Sequence, residues 1–322
     1  MHTSLIEVSG LVTGVMTPNG PCRVVDDISF SIRKGKVLGI IGESGCGKSM
    51  TALSIMRLLP QTIGYIESGS IKFDGVDLLG LGASQMEAVR GNEIAMIFQE
   101  PMTALNPVFA IGDQIGESLE VHKRLRGREK REKTIDLLKL VGIPRPDKVI
   151  FEYPHQLSGG MRQRVMIAMA LSCEPKLLIA DEPTTALDVT IQFQILDLIR
   201  SVKDELGTAI LFITHDLGVI AEIADDVAVM YLGKIVEYAP VRKIFDNPVH
   251  PYTRGLMDSR LVRKNKGDPL VCIPGMVPSL NRRPKGCAFS PRCQECDDRC
   301  TQAMPELLEL EQGHFVRCLQ SE

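Results

Sequence analysis

Long apolar runs are missing from this sequence of 322 residues. A helix needs roughly 20 consecutive apolar residues to cross a bilayer, and no run in the chain approaches that length. Residues 1–7 also lack the basic and apolar regions of a secretory signal peptide. We therefore expect a cytoplasmic protein.

A large net charge is missing as well, since the formal charge is −3 at pH 7. This value argues against nucleic-acid binding, which needs an extended basic surface. The nine cysteines would indicate disulfides only in a secreted chain. Five of them cluster near the C-terminus, at Cys287, Cys293, Cys296, Cys300 and Cys318. This clustering indicates a local cysteine site.

Short apolar segments, each bounded by polar or turn residues, predict the buried strands of a largely parallel sheet. They are residues 36–41, 93–98, 176–180, 209–214 and 227–231. Helical periodicity with a solvated charged stretch at residues 123–133 predicts an inserted helical subdomain over about 103–172. We expect an α/β domain over residues 1–240 and a loop-rich extension, frequent in proline, over 241–322.

The sequence Gly-Glu-Ser-Gly-Cys-Gly-Lys-Ser at residues 42–49 lies between a predicted strand and a helix predicted for residues 49–59. Its glycines let backbone N–H groups close around phosphate oxygens, and the helix directs its positive end at them. Lys48 is expected to hold the β- and γ-phosphates, and Ser49 to ligate Mg²⁺. The nucleotide-binding residues predicted here are Gly42, Ser44, Gly45, Gly47, Lys48 and Ser49.

Two adjacent carboxylates, Asp181 and Glu182, follow the strand predicted at residues 176–180. On an extended strand, neighbouring side chains point to opposite sides. Asp181 can then assist the Mg²⁺ shell, while Glu182 faces the γ-phosphate and can polarise an attacking water. The pair predicts the hydrolytic half of an ATPase site.

A second glycine motif, Leu-Ser-Gly-Gly-Met at residues 157–161, begins a predicted helix that runs to Leu171. Its N–H groups would form another anion site. Two such ends on one chain are redundant for one phosphate, but in a head-to-tail dimer each can close the partner's site. We therefore expect ATP to be held between two subunits.

These motifs, with Gln99, residues 186–188 and His215, occur in the order and spacing found in ATP-binding-cassette (ABC) ATPases. The resemblance covers residues 5–240 and implies an ABC-type P-loop fold with a mixed sheet. The catalytic residues that it implies are Glu182, His215 and Gln99.

The same resemblance implies how two subunits share the site. In these ATPases the second glycine motif contacts the γ-phosphate bound by the opposing subunit, which here involves Ser158, Gly159 and Gly160. Asp188 would communicate across the dimer. Gln99 would sense Mg²⁺ and water and couple the site to the membrane partner.

Residues 98–107 and 153–161 resemble segments of dipeptide and oligopeptide importer ATPases, and residues 247–253 and 274–293 resemble their C-terminal extension. The resemblance implies a second ATPase subunit (a copy or a paralogue), two transmembrane permease subunits and an extracytoplasmic substrate-binding protein. It implies a peripheral subunit at the cytoplasmic face of the inner or plasma membrane. Since close relatives carry nickel and some sugars, a nickel or other small-solute importer is the alternative.

Two functions from other classes stay open. A soluble ABC ATPase that clamps nucleic acid or ribosomes usually has two cassettes or a long coiled-coil insertion, and residues 49–158 hold neither. A metal-sensing regulator built around the cysteines would use nucleotide only structurally. The presence of both Glu182 and His215 argues against it.

Two positions depart from the family's pattern. The first hairpin usually supplies an aromatic side chain that stacks on adenine, but residues 1–27, including Val15 and Met16 at the expected place, contain no Phe, Tyr or Trp. We expect weaker stacking, or a surface supplied from elsewhere. Cys46 lies beside Lys48 and a helix N-terminus, which predicts a lowered thiol pKa and a reactive thiol that bound ATP protects.

The C-terminal cysteines match the spacing of a family extension in which some members carry a [4Fe–4S] cluster. The ligands that this resemblance implies are Cys287, Cys293, Cys300 and Cys318. Cys296 departs from the pattern and creates a Cys-x-x-Cys spacing that suits zinc equally well. Zn²⁺ and reduced structural cysteines are the alternatives, and we expect any metal to be structural.

Overall fold

The computed structural model describes residues 4–99, 104–184, 188–259 and 272–321. The chain divides into two compact units, which are described separately. The helical unit comprises mainly Asp77–Phe212, with Ile32–Lys36 and the N-terminal residues up to Leu5. The P-loop unit comprises Ile6–Ser31, Val37–Val76 and Ile213–Glu322.

A four-stranded sheet lies mainly in the P-loop unit. It contains β1 (Ser4–Thr17), β2 (Gly20–Arg33), β4 (Gly64–Phe73) and β5 (Val76–Asp77), in the order β2-β1-β4-β5. β1 runs antiparallel to β4, with Gly14 opposite Tyr65. Residues along the second half of β2 alternate between buried and exposed, as expected for a sheet with one covered face.

The P-loop unit also contains five neighbouring strands of a second sheet. These are β3 (Val37–Ile41), β9 (Asp226–Tyr231), β10 (Lys234–Pro240), β11 (Leu308–Glu311) and β12 (His314–Val316), in the order β11-β12-β10-β9-β3. β3 is parallel to β9, while the remaining pairs are antiparallel. The helices of this unit are α1 (Lys48–Met56), α8 (Leu217–Ile223), α9 (Val241–Asp246), α10 (Pro251–Asp258) and α11 (Asp298–Gln302).

A buried carboxylate on β10 fastens the C-terminal extension to this sheet. Glu237 is fully buried and accepts hydrogen bonds from the backbone N–H groups of Val249 at 2.8 Å and His250 at 3.0 Å. The His314 Nε2 on β12 lies 2.8 Å from the same carboxylate. Two segments of the extension therefore meet at one buried acceptor, which is costly to leave unsatisfied.

The helical unit carries the strands β6 (Ile94–Ile97), β7 (Leu177–Asp181) and β8 (Ala209–Ile213), in the order β8-β7-β6. β6 and β7 are parallel, and every residue of the three strands is buried. Its helices are α2 (Ala83–Val89), α3 (Ile111–Lys123), α4 (Gly127–Leu140), α5 (Pro146–Val149), α6 (Gly159–Leu171) and α7 (Val189–Leu206).

The apolar segments predicted as strands are confirmed as β3, β6, β7, β8 and β9. The helix predicted after the phosphate loop is α1, although it ends at Met56. The charged stretch forms the exposed face of α4 and its approach, where Arg128 pairs with Glu132 at 2.7 Å. None of the helices in the described residues is long and apolar enough to span a membrane.

Candidate functional site

The predicted site residues are divided between the two units. Residues 42–49 and His215 belong to the P-loop unit. Gln99, residues 158–160 and the carboxylates after β7 belong to the helical unit. Residues 100–103 and 185–187 lie outside the described part of the chain, so the predictions for Ala186 and Leu187 stay predictions.

The phosphate loop, residues 42–49, connects β3 to α1. Gly42 has φ 155°, and a Cβ there would lie 2.1 Å from the carbonyl oxygen of Met230. Gly47 has φ 107°, and a Cβ there would lie 2.8 Å from the carbonyl oxygen of Val24. The backbones of β9 and β2 approach so closely that only glycine fits at both positions.

Lys48 begins α1 and is only 5% exposed. Its Nζ donates hydrogen bonds to the carbonyl oxygens of Gly42 at 2.8 Å and Glu43 at 3.2 Å. Ser44 and Gly45 are exposed at the tip of the loop. A buried ammonium and the first N–H groups of α1 are thus held in one loop, an arrangement suited to binding an anion.

The predicted lowering of the thiol pKa of Cys46 is wrong. The side chain is 1% exposed, and burial raises the pKa of its thiol even though Lys48 lies nearby. Desolvation penalises the thiolate more than the neighbouring ammonium stabilises it. The thiol is therefore protonated and inaccessible, in contrast to the exposed, electropositive setting of reactive cysteines.

An aromatic residue that the sequence analysis missed lies on β4. A Cβ built on Gly14 would lie 2.4 Å from the Cζ of Tyr65, so the Tyr65 ring occupies the space of a side chain on β1. The ring lines a cleft of about 450 Å³ whose other walls are Met16, Pro21, Arg23 and Glu67. The aromatic ring in this cleft therefore comes from β4, the strand paired with β1, and not from the first hairpin.

This cleft is close to the phosphate loop along β2. Arg23, in its wall, directly precedes Val24, whose carbonyl oxygen borders Gly47. The Arg23 Nε donates to the Glu67 carboxylate at 2.8 Å, which holds two of the residues that line the cleft. The sequence signal was the lack of an aromatic residue before Asp27. The β1–β4 register, which sets Tyr65 opposite Gly14, cannot be read from the sequence.

In the helical unit, the turn after β7 brings predicted catalytic residues together. Glu182 follows buried Asp181 and has φ 47°, a left-handed conformation uncommon for a residue other than glycine. The Gln99 Nε2 donates to the Glu182 carboxylate at 3.1 Å. The next carbonyl, of Pro183, accepts from the buried Gln163 of α6 at 2.5 Å. The strained turn is therefore held from two sides.

The second glycine motif caps α6. The Ser158 Oγ accepts from the N–H three residues further on at 3.4 Å. No described atom lies within 4 Å of a Cβ built on Gly159, whereas one on Gly160 would lie 3.4 Å from Ile191. Packing within the described chain therefore does not demand glycine at position 159.

Asp188 caps α7 in the same manner, because its carboxylate accepts from the Ile191 N–H at 2.9 Å. The contact between Gly160 and Ile191 sets the N-termini of α6 and α7 side by side. Both helix dipoles consequently direct positive potential at one region of the surface. The helical unit therefore brings the second glycine motif and Asp188 together.

His215 follows β8 and is exposed. Its neighbours form a tight turn in which the Asp216 N–H donates to the Thr214 Oγ1 at 3.0 Å. The Asp216 carboxylate then caps α8 by accepting from the Gly218 N–H at 2.7 Å. The turn fixes the backbone on either side of the exposed His215.

Cys287 lies beside Cys300 of α11. The Cys287 N–H donates to the Cys300 carbonyl oxygen at 2.7 Å. Burial and then the charges of neighbouring Cys318, Cys300 and Cys293 raise the pKa of the Cys287 thiol to about 11. Among the described residues, no group of three or more His, Cys, Asp and Glu side chains is arranged to hold a metal ion.

Comparisons with known proteins agree with these features. Residues 25–185 match the family described as "ABC transporter", and residues 236–300 match "Oligopeptide/dipeptide transporter, C-terminal region". A putative peptide import ATP-binding protein of Brucella ovis is 51% identical, covering 98% of this chain and 96% of that protein. The oligopeptide transport ATP-binding protein AppD of Bacillus subtilis is 50% identical with the same coverage. The dimeric structure of MJ0796, a bacterial ABC transporter cassette, matches with a TM-score of 0.67 and 25% identity, covering 74% of this chain and 99% of that one.

Proposed function

This chain belongs to the ABC transporter ATPases with an oligopeptide/dipeptide C-terminal region, and on that premise we propose that it hydrolyses ATP to energise peptide import through a membrane permease. The observation that carries the hydrolytic role is the contact between Gln99 and Glu182 at the end of β7. It holds a carboxylate and an amide together, as activation of an attacking water requires.

In the proposed reaction, Lys48 binds the β- and γ-phosphates after exchanging its carbonyl partners for phosphate oxygens. Ser49 and Asp181 would hold Mg²⁺, which neutralises charge on the phosphate oxygens when bound with ATP. Glu182 orients and polarises the attacking water, with Gln99 sensing that water and the metal. His215 contacts the γ-phosphate from its exposed turn.

The second glycine motif serves the opposing ATPase subunit. Space around Gly159 lets a phosphate of the partner approach the N-terminus of α6, where Ser158 and Gly160 complete the donor set. Asp188, capping the adjacent helix, communicates between the two sites. Each subunit would then close the other's ATP site, as in a head-to-tail dimer.

The remaining partners follow from the family. We propose two transmembrane permease subunits, an extracytoplasmic substrate-binding protein and a second ATPase subunit that is a copy or a paralogue. The chain would lie peripherally at the cytoplasmic face of the inner or plasma membrane. Its domains are proposed as residues 1–240, with the helical subdomain at about 103–172, and 241–322.

We propose that Tyr65 supplies the aromatic surface for adenine. The ring lines a cleft together with Arg23, which directly precedes Val24, the residue whose carbonyl oxygen borders Gly47. A planar ring at this place can stack on a base without reading its hydrogen-bonding edge. The missing aromatic residue of the first hairpin is thereby replaced.

The cysteine tail is proposed to hold a [4Fe–4S] cluster through Cys287, Cys293, Cys300 and Cys318. The proposal rests on the chemistry of the donor set, since four thiols suit an iron–sulfur cluster, whereas the described side chains are not arranged as a metal site. Bound iron would stabilise the thiolates that burial disfavours and would tie together a segment with little core of its own. Zn²⁺ is the alternative metal.

A Glu182→Gln substitution tests the proposed hydrolysis. The amide cannot act as a base, so ATP binding should persist while turnover falls by about 10²- to 10⁴-fold. The closed dimer should accumulate with ATP, which gel filtration can follow. Glu174→Gln is the matched control, because Glu174 is an exposed carboxylate of the same unit that pairs with Lys133. Wild-type turnover in the Glu182→Gln protein would refute the proposal.

A further inference from the structure

The phosphate loop is fastened to the C-terminal extension at Glu43. The Arg292 guanidinium forms a two-pronged ion pair with the Glu43 carboxylate, with Nη1 to Oε2 at 2.7 Å and Nη2 to Oε1 at 3.1 Å. The Arg292 side chain is 5% exposed and that of Glu43 is 26% exposed. Bidentate pairs of this kind fix geometry more strongly than single contacts, and partial burial limits screening by salt.

A second contact fixes the backbone of the same residue. The buried Tyr252 hydroxyl of α10 accepts a hydrogen bond from the Glu43 N–H at 2.9 Å. The carbonyl oxygen of Glu43 is one of the two that receive Lys48. The extension thus holds Glu43 by its side chain and its N–H, while its carbonyl oxygen faces the phosphate-binding lysine.

The two fastening residues are themselves held rigidly. The Arg292 Nε donates to the Pro274 carbonyl oxygen at 2.9 Å, and its guanidinium lies 5.9 Å from the Tyr231 ring and 6.0 Å from the Phe289 ring. The Tyr252 ring packs 4.7 Å from Tyr231 and 5.4 Å from Phe289. The side chains are therefore ordered by packing, and little conformational entropy is lost in holding Glu43.

Charge gives this arrangement a role beyond packing. Glu43 places a carboxylate inside a loop whose ligand is a polyanion, and Arg292 neutralises it. Without Arg292, that carboxylate would repel the phosphates and the loop would lose one of its fastenings. The cationic partner comes from a part of the chain far from the loop in sequence.

We propose that Arg292 and Tyr252 are positioning residues for ATP binding, which hold and neutralise Glu43 so that the phosphate loop keeps its nucleotide-binding shape. This inference rests on the proposed ATPase function. It assigns the C-terminal extension a part in nucleotide affinity that is separate from any part in transport. Both residues act through Glu43, so their loss should raise the KM for ATP more than it lowers kcat.

The test measures the Kd of a fluorescent ATP analogue, and KM and kcat for ATP, in the full chain. Arg292→Gln should weaken nucleotide binding by about tenfold, the effect of losing a charge-assisted hydrogen bond. The double variant Arg292→Gln with Glu43→Gln should recover most of the affinity, because the repelling charge is gone. Arg292→Lys and Tyr252→Phe should each show a smaller loss, since each keeps part of the fastening.

Arg254→Gln is the matched control, because Arg254 forms an exposed ion pair with Glu295 in the same extension. Its nucleotide affinity should equal that of the wild type. Equal affinity in the wild type and Arg292→Gln would overturn the inference, as would a double variant no better than the single one. If the wild type itself failed to bind the analogue, the proposed function would fail instead. Thermal unfolding identifies variants that do not fold, and Arg292→Lys and Tyr252→Phe then carry the test.

Discussion

Cys46 is buried inside the phosphate loop, whereas Cys272 lies exposed on the C-terminal extension. Alkylation near neutral pH should therefore label Cys272 before Cys46, because Cys46 combines a raised thiol pKa with inaccessibility. Mass spectrometry of peptides after graded iodoacetamide treatment measures the order. ATPase activity should survive stoichiometric labelling of Cys272. Faster labelling of Cys46 would show that the loop opens readily.

The proposed stacking of Tyr65 on adenine can be tested by removing either the whole ring or only its hydroxyl. Loss of base stacking costs about 1 to 3 kcal/mol, so Tyr65→Ala should raise the KM for ATP by roughly tenfold with a smaller change in kcat. Tyr65→Phe keeps the ring and serves as the control, with a KM close to wild type. Steady-state kinetics distinguishes the variants. An unchanged KM in Tyr65→Ala would separate this cleft from adenine binding.

Among single residues, motif chemistry predicted a phosphate loop that the structure places between β3 and α1, and two carboxylates that it places at the end of β7, while their roles stay predictions. Tyr65, Glu43 and Arg292 could not be found this way. Their partners come from strand register or from segments distant in the chain. Cys46 was misjudged because a charged neighbour is visible in sequence and burial is not.

At the level of elements, α10 depends on an unusual cap. The His250 Nδ1 accepts from the Tyr252 N–H at 3.0 Å, and the ring is almost wholly buried. Burial, helped by the charge of Arg254, lowers the pKa of His250 from 6.5 to about 3. The neutral ring is therefore the form that caps the helix, and protonation would remove its acceptor.

This cap predicts a loss of stability in acid. Between pH 6.5 and about 3 the unfolded chain binds a proton at His250 that the folded chain does not, so stability falls as pH drops through this window. The slope from this residue is about 1.4 kcal/mol per pH unit. His250→Asn should be less stable at neutral pH but lose less stability in acid, since Asn also caps helices. Thermal unfolding at several pH values checks this, and an unchanged pH dependence would contradict it.

Sequence patterns predicted elements better than their connections. The buried strands β3 and β6–β9 were identifiable because fully buried strands are continuously apolar. The short strands β11 and β12 were not, since the four residues of β11 are exposed and β12 pairs with β10, a distant part of the chain. The prediction of a largely parallel sheet therefore describes only part of the second sheet, because its strands β9, β10, β12 and β11 pair antiparallel with one another.

For the whole molecule, the predicted ABC-type fold and the peptide-importer family are confirmed by family matches over residues 25–185 and 236–300 and by relatives of about half identity. The order of the motifs was sufficient to identify the family, because that order can be read directly from the sequence. The domain boundaries and the metal content stay predictions.

The metal of the cysteine tail is tested by purifying the protein anaerobically. We expect brown protein with visible absorbance and about four irons per chain. The Cys300→Ser variant should lose the iron and unfold at a lower temperature. The Cys296→Ser variant should keep the iron content and the unfolding temperature of the wild type. Colourless protein with stoichiometric zinc would contradict the iron–sulfur cluster and support the alternative, Zn²⁺. Protein that contains neither metal would support reduced structural cysteines.

The Tyr65 ring lies where a side chain at position 14 would be. Positions 14 and 65 are therefore expected to change together in related chains. A side chain at position 14 and the Tyr65 ring compete for the same volume, so any residue larger than glycine at position 14 must displace the ring from its place over β1. Glycine at position 14 should therefore accompany an aromatic residue at position 65 across homologues, and larger residues at position 14 should accompany smaller ones at position 65.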